Sequence, residues 1–101
     1  MRSPNPVRVR TALLLELARG PGFGLEIIER VRARTGLALR QPTVYPELQL
    51  LRIGGLATTT VKHRPGQGGR PTMIFALTEK GLTEARRLVV AIAKMTEGVR
   101  P

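Results

Sequence analysis

The residues with the clearest chemistry are cations around a glycine-rich segment. Lys62, Arg64 and Arg70 surround Pro65 and three glycines, and residues 57–77 contain no acidic side chain. A glycine-rich tip lets the backbone approach a phosphate closely, and each cation that neutralises a nucleic-acid phosphate releases a condensed counterion. The three cations are therefore predicted to contact a phosphate backbone. A solubilising turn without a binding role is the alternative interpretation.

A second polar group lies at the start of the segment 42–53. Arginine and glutamine side chains can make bidentate hydrogen bonds with guanine and adenine, and threonine and tyrosine hydroxyls can bond phosphate. The residues that carry these groups are Arg40, Gln41, Thr43 and Tyr45. Any exposed helix has polar residues, so the group alone is weak evidence. Tyr45 fits a core position as well as a phosphate contact.

The charge balance indicates the class of partner. The 101 residues include 17 Lys and Arg against 7 acidic residues, a formal net charge of +10. Residues 1–40 have the highest net positive charge per residue, with eight cations and three Glu, so Arg2, Arg8 and Arg10 are further candidate phosphate contacts. A chain this basic is expected to bind a polyanion, with nucleic acid first and an anionic membrane second.

Several functional classes lack the residues they need. The chain has no Cys, no Asp, one His and one Ser. Thiolate metal sites, carboxylate-rich calcium loops and a Ser-His-Asp triad are therefore excluded, and no enzyme activity, cofactor or metal is predicted. The longest aliphatic runs, Ala12–Leu15 in the first half and Leu88–Ala93 in the second, are far shorter than the roughly 20 residues that span a bilayer. We expect a cytoplasmic, nucleoid-associated protein with no membrane partner.

Hydrophobic periodicity divides the chain into six elements of one domain, residues 1–101. They are helices at about 6–19, 24–35 and 42–53, a hairpin at 56–77 and a last helix at 78–97. Gly20–Gly24 is interpreted as a turn, and Pro46 is tolerated if it falls in the first turn of the third helix. The order ααα-ββ-α, mainly α with a small β-hairpin, predicts a winged helix-turn-helix. In that architecture the third helix can enter a major groove while the hairpin lies on neighbouring backbone.

The last helix is more apolar than a terminal helix of a small monomer needs to be. Exposed apolar patches usually mark interfaces, so this helix is predicted to form a homodimer seam. Simple packing on its own domain is the alternative. The residues assigned to the seam are Leu82, Ala85, Leu88, Val89, Ile92 and Met95.

Five short runs form a series along the chain. They are Phe23–Ile27, Pro42–Leu48, Gly54–Ala57, Gly68–Pro71 and Leu77–Gly81. In this order and spacing, from about Ala12 to Leu88, they resemble the motifs of the PadR family of bacterial transcription regulators. The Thr-x-Tyr-Pro run at 43–46 and the Gly-Gly-Arg-Pro run at 68–71 are the specific signatures.

The departures from the family pattern lie mostly in the hairpin. Thr72 and Met73 stand where the family has a basic pair, and Ile74 and Phe75 replace two tyrosines. The second hairpin strand therefore offers fewer phosphate contacts than in typical members. In the second helix, Leu25 stands where an aromatic residue is usual. The single last helix resembles that of members with a short C-terminal region.

The resemblance implies a homodimeric repressor that binds a palindromic operator in double-stranded DNA. Some family members are released by phenolic or lipophilic small-molecule effectors at the dimer interface. The chain has three aromatic residues, which is too few to favour an aromatic effector pocket. Whether the protein binds a small-molecule effector is left open by the sequence. A protein-interaction module with only non-specific DNA affinity is the alternative function. An RNA-binding protein is disfavoured because few aromatic side chains could stack on bases.

Overall fold

Proline and glycine residues set the bounds of most helices in the computed structural model, which describes residues 6–63 and 71–100. Proline suits the first helical turn and glycine the position after the last. Accordingly, helix α1 begins at a proline, and α1, α2 and α3 each end directly before a glycine. The elements are α1 (Pro6–Arg19), β1 (Gly22–Phe23), α2 (Gly24–Thr35), α3 (Gln41–Ile53), β2 (Ala57–His63), β3 (Pro71–Leu77) and α4 (Glu79–Met95).

The strands form one antiparallel sheet in the order β1-β3-β2. Strands β2 and β3 pair from Ala57 opposite Leu77 to His63 opposite Pro71, which forms the predicted hairpin. The mainly helical winged fold is confirmed. Strand β1 was not predicted, and the interpretation of Gly20–Gly24 as a plain turn was wrong at Gly22 and Phe23, which pair with Phe75 and Ile74.

The side chain of Arg30 in α2 holds the approach to β1 in place. Its Nη1 and Nη2 donate to the carbonyl oxygens of Gly20 (3.4 Å) and Pro21 (3.0 Å). Glu26 accepts a hydrogen bond of 3.3 Å from the backbone N–H of Phe23. These bonds satisfy backbone groups that a two-residue strand leaves free. The strand therefore depends on side chains of the following helix, which local periodicity does not reveal.

The core is aliphatic around a single aromatic ring. Phe75 of β3 is 1% exposed and is the largest of the fully buried side chains. Helices α1, α2 and α3 and strand β2 all contribute to the same cluster, whose principal buried members are Val9, Leu13, Leu17, Ile27, Val31, Val44, Leu48, Leu51 and Ala57. The three helices and the sheet are thus packed around one core, which fixes α3 relative to the hairpin.

Helices α3 and α4 differ slightly from their predicted bounds. Helix α3 begins at Gln41, one residue before the predicted start, so Pro46 lies beyond the first turn and inside the helix. Because proline has no N–H, the carbonyl of Pro42 lacks its partner four residues later. Pro42 is exposed, so water can satisfy that oxygen. Helix α4 begins after Thr78 and ends at Met95, two residues short of the predicted end.

The start of α4 is joined to the end of α3 by a group of contacts that we name the α3–α4 clasp, formed by Gly54–Leu56 and Thr78–Gly81. The Thr78 hydroxyl donates to the carbonyl of Gly55 (2.6 Å) and accepts from the N–H of Gly81 (3.1 Å). The N–H of Thr78 donates to the carbonyl of Leu56 at 3.0 Å. A Cβ at Gly81 would collide with that same carbonyl, so the close approach requires glycine.

We expect Thr78→Ala to lower the free energy of unfolding by about 1–2 kcal/mol, because the helix loses its N-cap hydroxyl and Gly55 loses a hydrogen bond. Urea denaturation measures the change. Thr83→Ala is the matched control: the Thr83 hydroxyl only bonds the carbonyl of Glu79 within α4 (3.0 Å), so that variant should stay within about 0.5 kcal/mol of the parent. Equal losses in both variants would mean that the clasp adds nothing.

Candidate nucleic-acid interface

Helix α3 buries one face and leaves the other open. Its buried residues are Val44, Glu47, Leu48 and Leu51, which follow the three- and four-residue spacing of a single helix face. The opposite side of the helix is exposed, including Leu50 at 49% and Ile53 at 72%. The core therefore holds α3 along one side and presents the other side outward.

The one carboxylate of α3 is turned inward. Glu47 Oε2 accepts hydrogen bonds from Arg10 Nε (3.3 Å) and Nη2 (3.2 Å) of α1. The Glu47 side chain is 10% exposed and that of Arg10 is 48% exposed. The exposed face of α3 consequently carries no negative charge. Arg10, a predicted phosphate contact, thus has a structural partner as well.

The burial of Glu47 could have been found in the sequence. Positions 44, 48 and 51 are apolar and share a face, and position 47 lies on that same face. A buried carboxylate at that position needs a cation as its partner. The sequence alone does not indicate which cation that is. Arg10 is 37 residues away, so the fold was needed to identify it.

Tyr45 packs against the first residue of α2. A Cβ at Gly24 would lie 2.5 Å from Cε1 and 2.7 Å from Oη of Tyr45, so only glycine leaves room for the ring. Tyr45 is nevertheless 36% exposed. Its ring is therefore fixed between the core and the surface, a position between the two alternatives that the sequence left open.

The other residues predicted on this helix cluster at its start. Arg40 is the N-cap residue, with an extended backbone, and its carbonyl accepts from the N–H groups of Thr43 and Val44, both at 3.0 Å. Arg40 and Gln41 are exposed, and Thr43 is partly buried. The structure thus brings Arg40, Gln41, Thr43 and Tyr45 together within the first two turns of one helix.

In the hairpin, Lys62 is exposed on β2. Thr58 and Thr60 lie on the same face of that strand, because side chains two residues apart share a face, and both are exposed. Arg8 is exposed on α1. Arg2, Arg64 and Arg70, which the sequence also predicted as phosphate contacts, lie outside the described residues.

The predicted seam on α4 is divided by depth. Ala85 is 2% exposed within its own chain, and Leu88 packs against the core, so α1 and the core already cover this part. Leu82 is partly buried. Exposed apolar surface begins further along the helix, at Val89 (55%), Ile92 (39%) and Met95 (79%).

One depression on the surface of the described residues has the size of a small-molecule site but no aromatic wall. A shallow, open depression of about 520 Å³ lies between α1 and the end of α2, lined mainly by apolar atoms. Its walls are Arg8, Thr11, Ala12, Leu15, Thr35, Gly36 and Leu37. None of these side chains is aromatic, and Arg8 is the one wall residue with a planar group that can stack on a phenolic ring.

Comparison with known protein families gives a match over most of the chain. The model of the transcriptional regulator PadR-like family matches residues 13–87. The chain belongs to the PadR-like family of transcriptional regulators. The matched span covers α2, α3 and the hairpin completely, and it includes all five short runs on which the resemblance rested. No curated protein is similar enough in sequence to count as a match.

Solved structures of transcription factors share the fold at low sequence identity. A PadR-like transcription factor from Bacteroides fragilis has a TM-score of 0.81 at 22% identity, covering 93% of this chain and 88% of that one. A transcriptional regulator from Clostridium thermocellum has a TM-score of 0.75 at 18% identity, covering 93% and 97%. These similarities extend through α4.

One similar structure contains nucleic acid. Bacillus subtilis PadR, in complex with operator DNA, has a TM-score of 0.72 at 22% identity, covering 80% of this chain and 46% of that one. The chain therefore spans less than half of the Bacillus protein. Within residues 6–63 and 71–100, no helix is long and apolar enough to cross a bilayer.

Proposed function

We propose that this PadR-like chain is a homodimeric repressor that binds a palindromic operator in double-stranded DNA. The observation that carries the proposal is the exposed face of α3. It presents Gln41, Tyr45 and further donors, while Glu47, its one acid, is buried on the opposite face and paired with the half-exposed Arg10. A recognition helix offers donors to base acceptors and phosphates, and on such a face an exposed carboxylate would be repelled by the phosphate backbone.

The assignment of DNA contacts follows from this arrangement. Gln41 would read a base edge at the start of α3, and Arg40, Thr43 and Tyr45 would contact bases or phosphates beside it. Phosphate contacts from the wing would come from Lys62, with Arg64 and Arg70 at the hairpin tip. Arg2, Arg8 and Arg10 would extend the phosphate contacts along α1.

The homodimer rests on the exposed half of α4. Residues 89–100 are all exposed, and among them Val89, Ile92 and Met95 lie on one face at steps of three. A second copy of the same surface would cover this apolar stripe in a two-fold interface. The two α3 helices would then enter successive major grooves about 34 Å apart.

Selection of bound duplexes from a random pool at about 150 mM salt tests the proposal. We expect an inverted repeat with half-site centres about ten base pairs apart, as two-fold symmetry requires. Binding without any enriched motif would contradict a sequence-specific regulator and favour a winged-helix protein-interaction module with non-specific DNA affinity.

Replacement of Lys62 by alanine is expected to weaken binding equally on all duplexes and to reduce the slope of log K against log salt by roughly one. The cause is the loss of one phosphate contact and its released counterion. Titrations at several salt concentrations measure the slope. Lys94→Ala, which removes one exposed cation from α4, should leave it unchanged. An unaltered slope for the Lys62 variant would remove β2 from the interface.

A further inference from the structure

Two polar side chains in the second half of α3 form a pair that the sequence analysis did not assign to DNA. Arg52 Nε donates a hydrogen bond of 2.7 Å to Oε1 of Gln49. Arg52 is exposed and Gln49 is partly exposed. The two residues are one helical turn apart, so the pair is a local feature of the helix surface.

The pair continues the polar stripe that begins at the start of α3. Positions 41, 45, 49 and 52 follow one another at steps of four, four and three, which places them along one side of a helix. The buried positions 44, 47, 48 and 51 occupy the adjoining side. Gln41 and Tyr45 are thus on the same stripe as the Gln49–Arg52 pair.

The hydrogen bond determines which groups the pair can offer to a ligand. A guanidinium has donors only, so the amide of Gln49 must present its oxygen to Arg52. That bond uses one of the two lone pairs of the glutamine oxygen and holds the guanidinium in place. The groups of the pair that remain available are mostly donors, namely the NH₂ of Gln49 and the terminal Nη groups of Arg52.

The guanidinium of Arg52, which has free terminal donors and no acceptor, distinguishes among base pairs in the major groove. Guanine presents two acceptors, N7 and O6, whereas adenine and cytosine each present an amino group that needs an acceptor. We propose that the Gln49–Arg52 pair is a second base-reading element of α3 and that it selects guanine. This inference rests on the proposed DNA-binding function and adds a specific base to it.

The position of the guanine within a half-site follows from helix geometry. Gln41 and Gln49 are eight residues apart, which corresponds to about 12 Å along the helix axis. For a helix lying along the groove, that distance spans roughly three to four base pairs at ~3.4 Å each. No hydrogen bond among the described residues occupies the Gln41 amide, so Gln41 retains both the donor and the acceptor that adenine requires.

Duplex selection with Arg52→Met tests the inference. Methionine keeps an apolar stem, and without the guanidinium Gln49 can turn its oxygen and its NH₂ together toward adenine. The parent chain is expected to enrich guanine at this position. The variant is expected to lose at least about tenfold of that preference and to shift toward adenine, as the loss of a bidentate contact implies.

Arg87→Met is the matched control. Arg87 makes an equivalent exposed i,i+3 contact with Glu84 at 3.1 Å, on α4, and its replacement removes the same charge. It should leave the selected motif unchanged. If Arg52→Met selects the parent motif, with only a uniform loss of affinity and a lower salt slope, Arg52 is a phosphate contact and the inference is wrong. If the parent chain selects no motif, the proposed function fails as well.

Discussion

Replacing Arg34 by methionine is expected to lower the free energy of unfolding by about 2–3 kcal/mol. Arg34 Nε of α2 bonds Oε1 of Glu16 in α1 at 3.0 Å, and the Glu16 side chain is 3% exposed. Removing one partner of a buried pair leaves an uncompensated charge, which costs about 3–5 kcal/mol when both groups are buried. The value expected here is lower because Arg34 is 46% exposed.

Glu16 is sensitive to this loss because its carboxylate makes few other hydrogen bonds. Its second oxygen, Oε2, is buried and has no hydrogen-bond partner among the described residues. Removing Arg34 would therefore leave both oxygens without a cation. Chemical denaturation measures the effect, and a loss of 2 kcal/mol corresponds to a fall in Tm of about 8–16 °C for a domain of this size.

Two further variants separate charge pairing from side-chain removal. Arg32→Met changes an exposed arginine of the same helix and should shift stability by less than about 0.5 kcal/mol. The double variant Glu16→Leu with Arg34→Met removes both charges and should recover most of the loss. A double variant as unstable as Arg34→Met alone would show that the buried charge is not the cause.

Replacing Val89 by glutamate is expected to separate the proposed homodimer and, with it, to weaken operator binding. Val89 is 55% exposed, so the monomer fold should tolerate the change. In a two-fold seam each interface would receive two carboxylates within apolar surroundings. A loss of about 2–4 kcal/mol is typical of a central interface position and corresponds to roughly 30- to 1,000-fold in the dimer dissociation constant.

Sedimentation equilibrium and operator titration measure the two consequences separately. Thr83→Glu adds the same charge on α4 at an exposed position away from the stripe and should leave both measurements unchanged. If Val89→Glu remains dimeric and keeps its affinity, α4 is not the seam. If it becomes monomeric with unchanged operator affinity, the homodimer is not needed for binding.

The sequence predicted the elements that local signals define. Helices α1 and α2 match their predicted bounds because Pro6, Gly20 and Gly36 interrupt the hydrophobic periodicity. Strand β1 escaped prediction because two residues are too few to show a strand period, and their pairing partner, β3, lies some fifty residues later in the chain.

The candidate site was predictable by type and less so by environment. Helical spacing placed Gln41 and Tyr45 near the start of α3. The same spacing could not reveal that Arg10 pairs with Glu47, that Tyr45 packs against Gly24 or that Arg52 donates a hydrogen bond to Gln49. The first two contacts depend on the packing of separate helices, and the third on a choice of side-chain rotamers.

The α3–α4 clasp holds the end of α3 and the start of α4 in one fixed arrangement. Thr78 bonds both the loop that ends α3 and the first turn of α4, and Gly81 lies against Leu56 without room for a side chain. The direction in which α4 leaves the domain is therefore tied to the direction in which α3 points. A substitution that tilts α4 should therefore also change the direction of α3, even when the substituted residue lies far from the polar stripe.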